Sequence, residues 1–287
     1  MDELDNSDKK RKPHLKLVRK IESASLSLNR KQLSEKDRAR LKVIKSLLKL
    51  AVSSRGSRKR IWAYFLEQRQ IPEQILREAI KKKLLFLLPD EPVVLNKAIL
   101  HAIPFDELQK AELVTKNRKI KNTILLRPVL SPFYQKRQVA GAQFRAIDPE
   151  VQPKTISLVA TGMWWWKGEN RSVCIVEGIV DMLSLAAMGW KGCILGMAGT
   201  GLADRAIEVL KGPLRGREVY LALDGDEAGR EATEKILSSI SEAHVLQIPD
   251  SCDLNDLLKQ GVRDWRELLE REVCHDKQSY SCGKAGC

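Results

Sequence analysis

The chain has 287 residues, 43% of them hydrophobic, and its 50 Lys and Arg outnumber 37 Asp and Glu for a formal net charge of +13. That apolar share supports one medium domain or two small ones, and the positive excess favours a polyanionic partner, nucleic acid or an acidic membrane surface. No apolar run approaches the roughly twenty residues that span a bilayer, and the first residues are charged rather than signal-like. Membrane-spanning and secreted classes are set aside, and the chain reads as cytoplasmic. Its six cysteines then need no disulfides; Cys174 and Cys193 fall in apolar runs and read as small core residues.

Residues 1–33 hold Lys9-Lys-Arg-Lys12, Arg19-Lys20 and Arg30-Lys31 among few apolar positions. They read either as a flexible basic arm that holds phosphates or as a solubilising tail. Ser34 is a helix cap for Glu35 to Val52, where Leu41, Ile44, Leu47, Leu48 and Ala51 recur at helical spacing. Residues 1–59 form a first segment. Residues 60–170 form a second segment; within it Lys136 and Arg137 read as a solvated hairpin turn. Trp164-Trp-Trp166 offers aromatics that stack on unpaired bases when exposed, but strand alternation predicts that at least one enters the core.

From 171 to 250, strand and helix alternate with short connections. Ser172 to Val176 is an apolar strand ending at Glu177-Gly178, and Ile179 to Met188 has helical spacing. Gly192 to Gly196 is a second strand, followed by the glycine-rich turn Gly199-Thr-Gly201 and a helix near Ala203–Leu210. Val219 to Leu223 ends at Asp224-Gly-Asp226, with Ala228-Gly-Arg230 opening a helix that runs on over Glu231–Ile240. A last strand spans Ala243 to Ile248. Residues 251–287 hold Asp253-Leu-Asn-Asp256, a short helix, and a tail with Cys274, His275, Cys282 and Cys287. The alternation predicts an α/β fold with a parallel sheet flanked by helices and acids along one edge. In extended backbone i and i+2 point the same way, so Asp224 and Asp226 can face one volume. Crowded carboxylates gain most from a shared hard cation. The bland alternative for Asp224-Gly-Asp226 is an acidic β-α turn with a helix cap.

Glu177-Gly178, the Gly199-Thr-Gly-Leu202 turn, Asp224-Gly-Asp226 with Ala228-Gly-Arg230, and Asp253-Leu-Asn-Asp256 together resemble the Toprim domain, in the version found in DnaG-type primases of bacteria, phages and plasmids. The likeness continues upstream: Thr123 to Phe133 and Gln138 to Arg145 are similar to the strand pair before Toprim in those primases, and Ile61 to Pro89, with Tyr64, Arg69-Gln-Ile-Pro72 and Ile75, more faintly resembles their small helical unit, which implies a mixed α+β primase-core subdomain over 60–170. It implies synthesis of short RNA primers on a single-stranded DNA template from ribonucleoside triphosphates, a nucleotidyl transfer dependent on Mg²⁺ or Mn²⁺, with two ions, and a replicative helicase as a possible partner. By position Asp224, Asp226 and Asp253 resemble the metal ligands, and Glu177 an acid assigned to metal organisation or to general acid/base work. Asn255 stands where many of these primases carry another aspartate, which shifts weight for a second ion onto Asp256. Arg127, Arg145, Lys154 and Arg230 resemble contacts to template or triphosphate. The zinc-binding module and helicase-binding domain usual in the family are not recognised, and the spacing of the tail's Cys and His residues does not predict zinc. The alternative readings are a non-catalytic nucleic-acid-binding Toprim protein of replication or recombination, and a Toprim nuclease.

Overall fold

The computed structural model describes residues 33–54, 56–135, 137–159 and 161–269, together with Leu17, Lys20 and Ile21. The basic arm lies outside the described residues except at those few positions; the Cys/His tail and Lys136 lie wholly outside them. The chain divides into two compact units, residues 1–163 and 164–287.

The first unit is built around one long helix. α1 (Glu35–Ser53) begins where Ser34 accepts a hydrogen bond from the Asp37 backbone amide, which satisfies one of the donors a helix start leaves open. Ala39, Leu41, Val43, Ile44, Leu47, Leu48 and Leu50 form its buried face. The following elements are α2 (Lys59–Ala63), a π-helical turn (Tyr64–Gln68), α3 (Glu73–Lys81), β1 (Phe86–Leu87), α4 (Pro92–Ala102), α5 (Phe105–Lys110) and α6 (Asn122–Leu125). Then come β2 (Val129–Gln135), β3 (Gln138–Arg145) and β4 (Thr155–Leu158), which join β1 in an antiparallel sheet ordered β1-β2-β3-β4. The buried face of α1 shares one core with Leu130, Ala142, Phe144 and Leu158 of that sheet.

The strand expected from Thr123 starts six residues later. Asn122–Leu125 is a turn of helix and the strand begins at Val129. Pro128 explains the change, because proline cannot continue a helix and biases its predecessor toward extended backbone.

The second unit carries a five-stranded sheet ordered β5-β7-β6-β8-β9: β5 (Met163–Trp166), β6 (Val173–Val176), β7 (Cys193–Met197), β8 (Val219–Ala222) and β9 (His244–Val245). The central strand β6 runs parallel to β7 and to β8, and β8 parallel to β9. Residues of β6, β7 and β8 are buried throughout, as expected of parallel strands covered on both faces. Between them lie α7 (Ile179–Ala187), a 3₁₀ turn (Thr200–Leu202), α8 (Ala203–Lys211) and α9 (Glu227–Leu237), and α10 (Leu254–Lys259) follows β9. The described residues thus have an α/β fold. The three tryptophans form β5, an edge strand of this sheet rather than part of the preceding subdomain. Trp164 and Trp166 are buried, which removes them as stacking platforms. The final strand is two residues long instead of six. Cys174 and Cys193 are buried and unbridged.

The connection after β6 leads to one side of it, to β7, and the connection after β8 leads to the other side, to β9. The carboxyl ends of β6 and β8 therefore flank a topological switch point, where open parallel sheets place ligands.

Because the core of the first unit forms against α1, truncation there is costly. Leu47, fully buried, should lose about 3 kcal/mol on substitution by Ala. A urea titration checks it through a lower midpoint at unchanged slope.

Candidate functional site

Three short segments converge at the switch point, and backbone contacts fix two of them together. β8 ends at Ala222, and the chain then passes through Leu223 to Asp224-Gly225-Asp226. The Gly225 amide donates to the Cys252 carbonyl at 2.9 Å, and the Ser251 amide donates back to the Gly225 carbonyl at 2.9 Å. A Cβ on Gly225 would lie 2.0 Å from the Pro249 carbonyl oxygen, so only glycine lets these backbones meet. The same stitching carries Asp253, which follows the 249–252 turn, to the end of β8. Gly229 allows a second close approach: a Cβ there would lie 2.0 Å from the Asp224 carbonyl oxygen, so the first turn of α9 sits on the strand end.

The third segment follows β6. Glu177 ends the strand, and Gly178 precedes α7 in extended backbone. A Cβ on Gly178 would come 3.0 Å from Oδ2 of Asp181. Asp181, in the first turn of α7, is buried. Gly199, at φ +105°, makes the turn after β7 and donates its amide to the Glu177 carbonyl at 3.4 Å.

The carboxylates sense one another strongly. Burial, then the charges of Asp181, Glu177, Asp253 and Asp226, push Asp224 up to about 9. Burial also raises Glu177, with Asp226 and Asp253 adding to it, while a side-chain hydrogen bond with Asp224 works the other way. With both acids raised, the cation-free site favours their protonated forms. Oε2 of Glu177 is buried without a hydrogen-bond partner. A buried, unpartnered carboxylate oxygen among four further acids is a donor set suited to a hard divalent cation. Among the described residues no three His, Cys, Asp or Glu side chains are grouped closely enough to hold a metal ion as they stand.

The other expected site residues have varied settings. Asp226 caps α9, its Oδ1 accepting from the Gly229 amide at 2.8 Å. Asp253 caps α10 in a reciprocal box: its Oδ1 accepts from the Asp256 amide at 2.7 Å, and Oδ2 of Asp256 accepts from the Asp253 amide at 3.3 Å. Asp256 also pairs with Lys259 at 2.6 Å. Asn255, expected near a second ion, is fully buried and donates Nδ2 to Ser184 Oγ at 3.1 Å, tying α10 to α7. Its amide serves packing, because a neutral donor suits a sealed interface better than a charge. Arg230 donates Nη1 to the Gly225 carbonyl and to Asp250, both at 3.0 Å, and so braces the acidic loop.

In the first unit Arg127 does not reach solvent. It is 4% exposed, donates Nη1 to the Thr123 carbonyl and both Nε and Nη2 to the Pro153 carbonyl, and burial lowers its pKa. It is a structural clamp. Lys154 is exposed, with its carbonyl accepting from the Ala146 amide. Arg145 donates Nε to the Tyr64 hydroxyl at 2.9 Å, and Arg69 donates to the same oxygen at 3.0 Å, its guanidinium also lying 5.1 Å from the Tyr64 ring centre. Two guanidiniums thus converge on one uncharged phenol, at the start of the π-helical turn. Tyr64, Arg69 and Asp181 were not among the expected site residues. Eighty-one positions separate Tyr64 from Arg145, and no local spacing links them.

Residues 174–258 match the family model described as Toprim-like. Over 199 residues the chain is 26% identical to the DNA primase of Aquifex aeolicus, covering 61% of this chain and 39% of that protein. It is 33% identical over 99 residues to the DNA primase of Mycoplasma pneumoniae, covering 34% of this chain and 15% of that protein. The chain thus spans well under half the length of these relatives. Among solved structures it is similar to the zinc-binding and RNA polymerase domains of the Aquifex aeolicus primase, with TM-score 0.55, 21% identity, and coverage of 85% of this chain and 63% of that one. It is also similar to the DnaG primase catalytic domain bound to single-stranded DNA, with TM-score 0.55, 19% identity, and coverage of 79% and 78%. Residues 174–258 form a Toprim-like domain, and the chain carries the fold of a DnaG-type primase core.

Two predictions follow from these settings. An acid raised in the folded state keeps its proton there while the unfolded chain, ionising near pH 4, has lost it. Stability of the cation-free protein therefore falls as pH rises from about 4 toward about 9, the value to which Asp224 is raised. Asp224→Asn should abolish part of that fall: in EDTA its thermal midpoint exceeds wild type by a few degrees at pH 8, about 2–4 °C for each kcal/mol, and converges with it near pH 4. Parallel pH profiles for the two proteins would contradict the crowding. Arg127→Gln should cost roughly 1–3 kcal/mol by removing the hydrogen bonds of a buried guanidinium, with affinity for an oligonucleotide unchanged by fluorescence anisotropy.

Proposed function

We propose that the chain is the catalytic core of a DNA primase, joining ribonucleotides on a single-stranded DNA template by divalent-metal-dependent nucleotidyl transfer. One observation carries the reading: Glu177 and Asp224 lie at the carboxyl ends of adjacent strands flanking the switch point, each raised first by burial and then by nearby acidic charges. A crowded carboxylate set of this kind has an obvious chemical use in holding Mg²⁺ or Mn²⁺ against a triphosphate. A bound pair of divalent ions lowers the pKa of the attacking hydroxyl and neutralises charge on the attacking and leaving oxygens.

The chain's own groups have separable tasks. Glu177 and Asp224, once deprotonated, would supply oxygens to such a cation, with Asp226 and Asp253 available at the same edge. Asp181 stays behind Asp224 and keeps it basic enough to hold a cation tightly. Arg230 holds the Gly225 loop so that the acids keep their spacing. Arg69 and Arg145, presented by Tyr64, bind template or triphosphate phosphates, for which the planar guanidinium fork is suited; Lys154 adds an exposed point charge. A replicative helicase as partner belongs to the same proposal. Among the described residues no helix is long and apolar enough to cross a membrane, and the template and triphosphates place the proposed work in the cytoplasm.

The test is incorporation of labelled ribonucleotides on single-stranded DNA with Mg²⁺ or Mn²⁺. Wild type should yield short RNA products, and Asp224→Ala/Asp226→Ala should reduce them at least about 100-fold while still binding the template. Product at equal yield from the variant, or from wild type in EDTA, would refute the proposal.

A further inference from the structure

The first unit carries a basic surface that the proposed chemistry does not use. Along α1, from Arg38 to Lys49, every exposed position is basic: Arg38, Lys42, Lys45 and Lys49. Their spacing of four, three and four residues keeps them on one face of the helix. At 1.5 Å rise per residue the row is about 16 Å long. Lys42 pairs with Glu107 at 2.9 Å, and among the described residues Arg38, Lys45 and Lys49 take part in no ion pair. Aligned like charges repel and gain nothing from folding. A polyanion running along the row would offset that repulsion.

We infer that this face of α1 is a docking track for the phosphodiester backbone of a nucleic-acid strand. Charge complementarity argues for a phosphate chain, because the row is an uninterrupted line of cations with a polymer's length rather than a pocket for one anion. The helix itself argues against a membrane. A basic amphipathic helix binds bilayers by inserting its apolar face, and here Ala39, Leu41, Val43, Ile44, Leu47, Leu48 and Leu50 are already buried in the core. Val52 is the exposed apolar residue left on α1. Without aromatics in the row, the contact would be electrostatic and indifferent to sequence.

The experiment is a salt titration of binding to a fluorescent thirty-residue oligo-dT and to a duplex of the same length, using the full chain in EDTA. Arg38→Gln/Lys45→Gln/Lys49→Gln is compared with wild type and with a control that removes three exposed charges elsewhere, Lys81→Gln/Lys211→Gln/Arg215→Gln. Each lost phosphate contact lowers the slope of log affinity against log salt by about 0.7 on a single strand. The α1 variant should lose about 2 units of slope and bind at least about 10-fold more weakly at low salt, with its thermal midpoint not lowered. Whichever of the two probes shows the larger loss identifies the form of nucleic acid. An unchanged slope, or an equal loss in the control, overturns the inference, as does binding to anionic vesicles that the variant loses while DNA binding persists. Ribonucleotide incorporation is not part of the readout, so a failed priming assay leaves this result standing on its own.

Discussion

The acidic edge of the second unit depends on how closely the backbone at Gly225 meets the 249–252 turn. Two reciprocal hydrogen bonds and a glycine pressed against the Pro249 carbonyl bring Asp253 to Asp224 and Asp226. Without that approach the carboxylates after β8 and those before α10 would belong to separate loops. With it, their charges and that of Glu177 act on one another, and burial does the rest. Arg230 braces the same loop through the Gly225 carbonyl, so a cation at the edge of the site secures backbone geometry while the anions stay available.

Much of this was legible in the sequence. Apolar runs ending in an acid and a glycine gave strand ends, and two such runs near one another gave the α/β alternation with its parallel sheet. The helix Glu35–Ser53 and its Ser34 cap also follow from spacing alone. Elements failed where local chemistry competed with periodicity. Pro128 cut a strand short, and β9 shrank to two residues because an apolar run does not reveal where edge pairing stops. The triple tryptophan looked like an appendage of the preceding subdomain, yet β5 hydrogen-bonds to β7, a pairing between segments nearly thirty residues apart.

Side-chain roles were harder to read than positions. Asn255 and Asp256 lie in the right motif, but one is sealed against Ser184 and the other closes a capping box. Arg127 carries a charge in a basic segment, yet its guanidinium is spent on backbone carbonyls inside the unit. Conversely Asp181 reads in sequence as one acid in an apolar helix, and only the missing Cβ of Gly178 makes room for it beside the strand-end acids. The pairing of Arg69 and Arg145 on Tyr64 is a tertiary event with no local signature. Residue type and spacing announce which groups are available; burial and the third dimension decide what each one does.

The double use of Asp226 and Asp253 has a further consequence. Each closes the first turn of a helix with an oxygen that a cation would also want. An ion that draws in the same oxygen competes with a backbone amide, and what it gains in coordination it loses in helix ends. Occupancy and the order of α9 and α10 therefore become linked quantities, and the edge behaves as a balance between coordination and fraying rather than as a rigid socket. Such a balance would favour ions that tolerate irregular or water-completed shells.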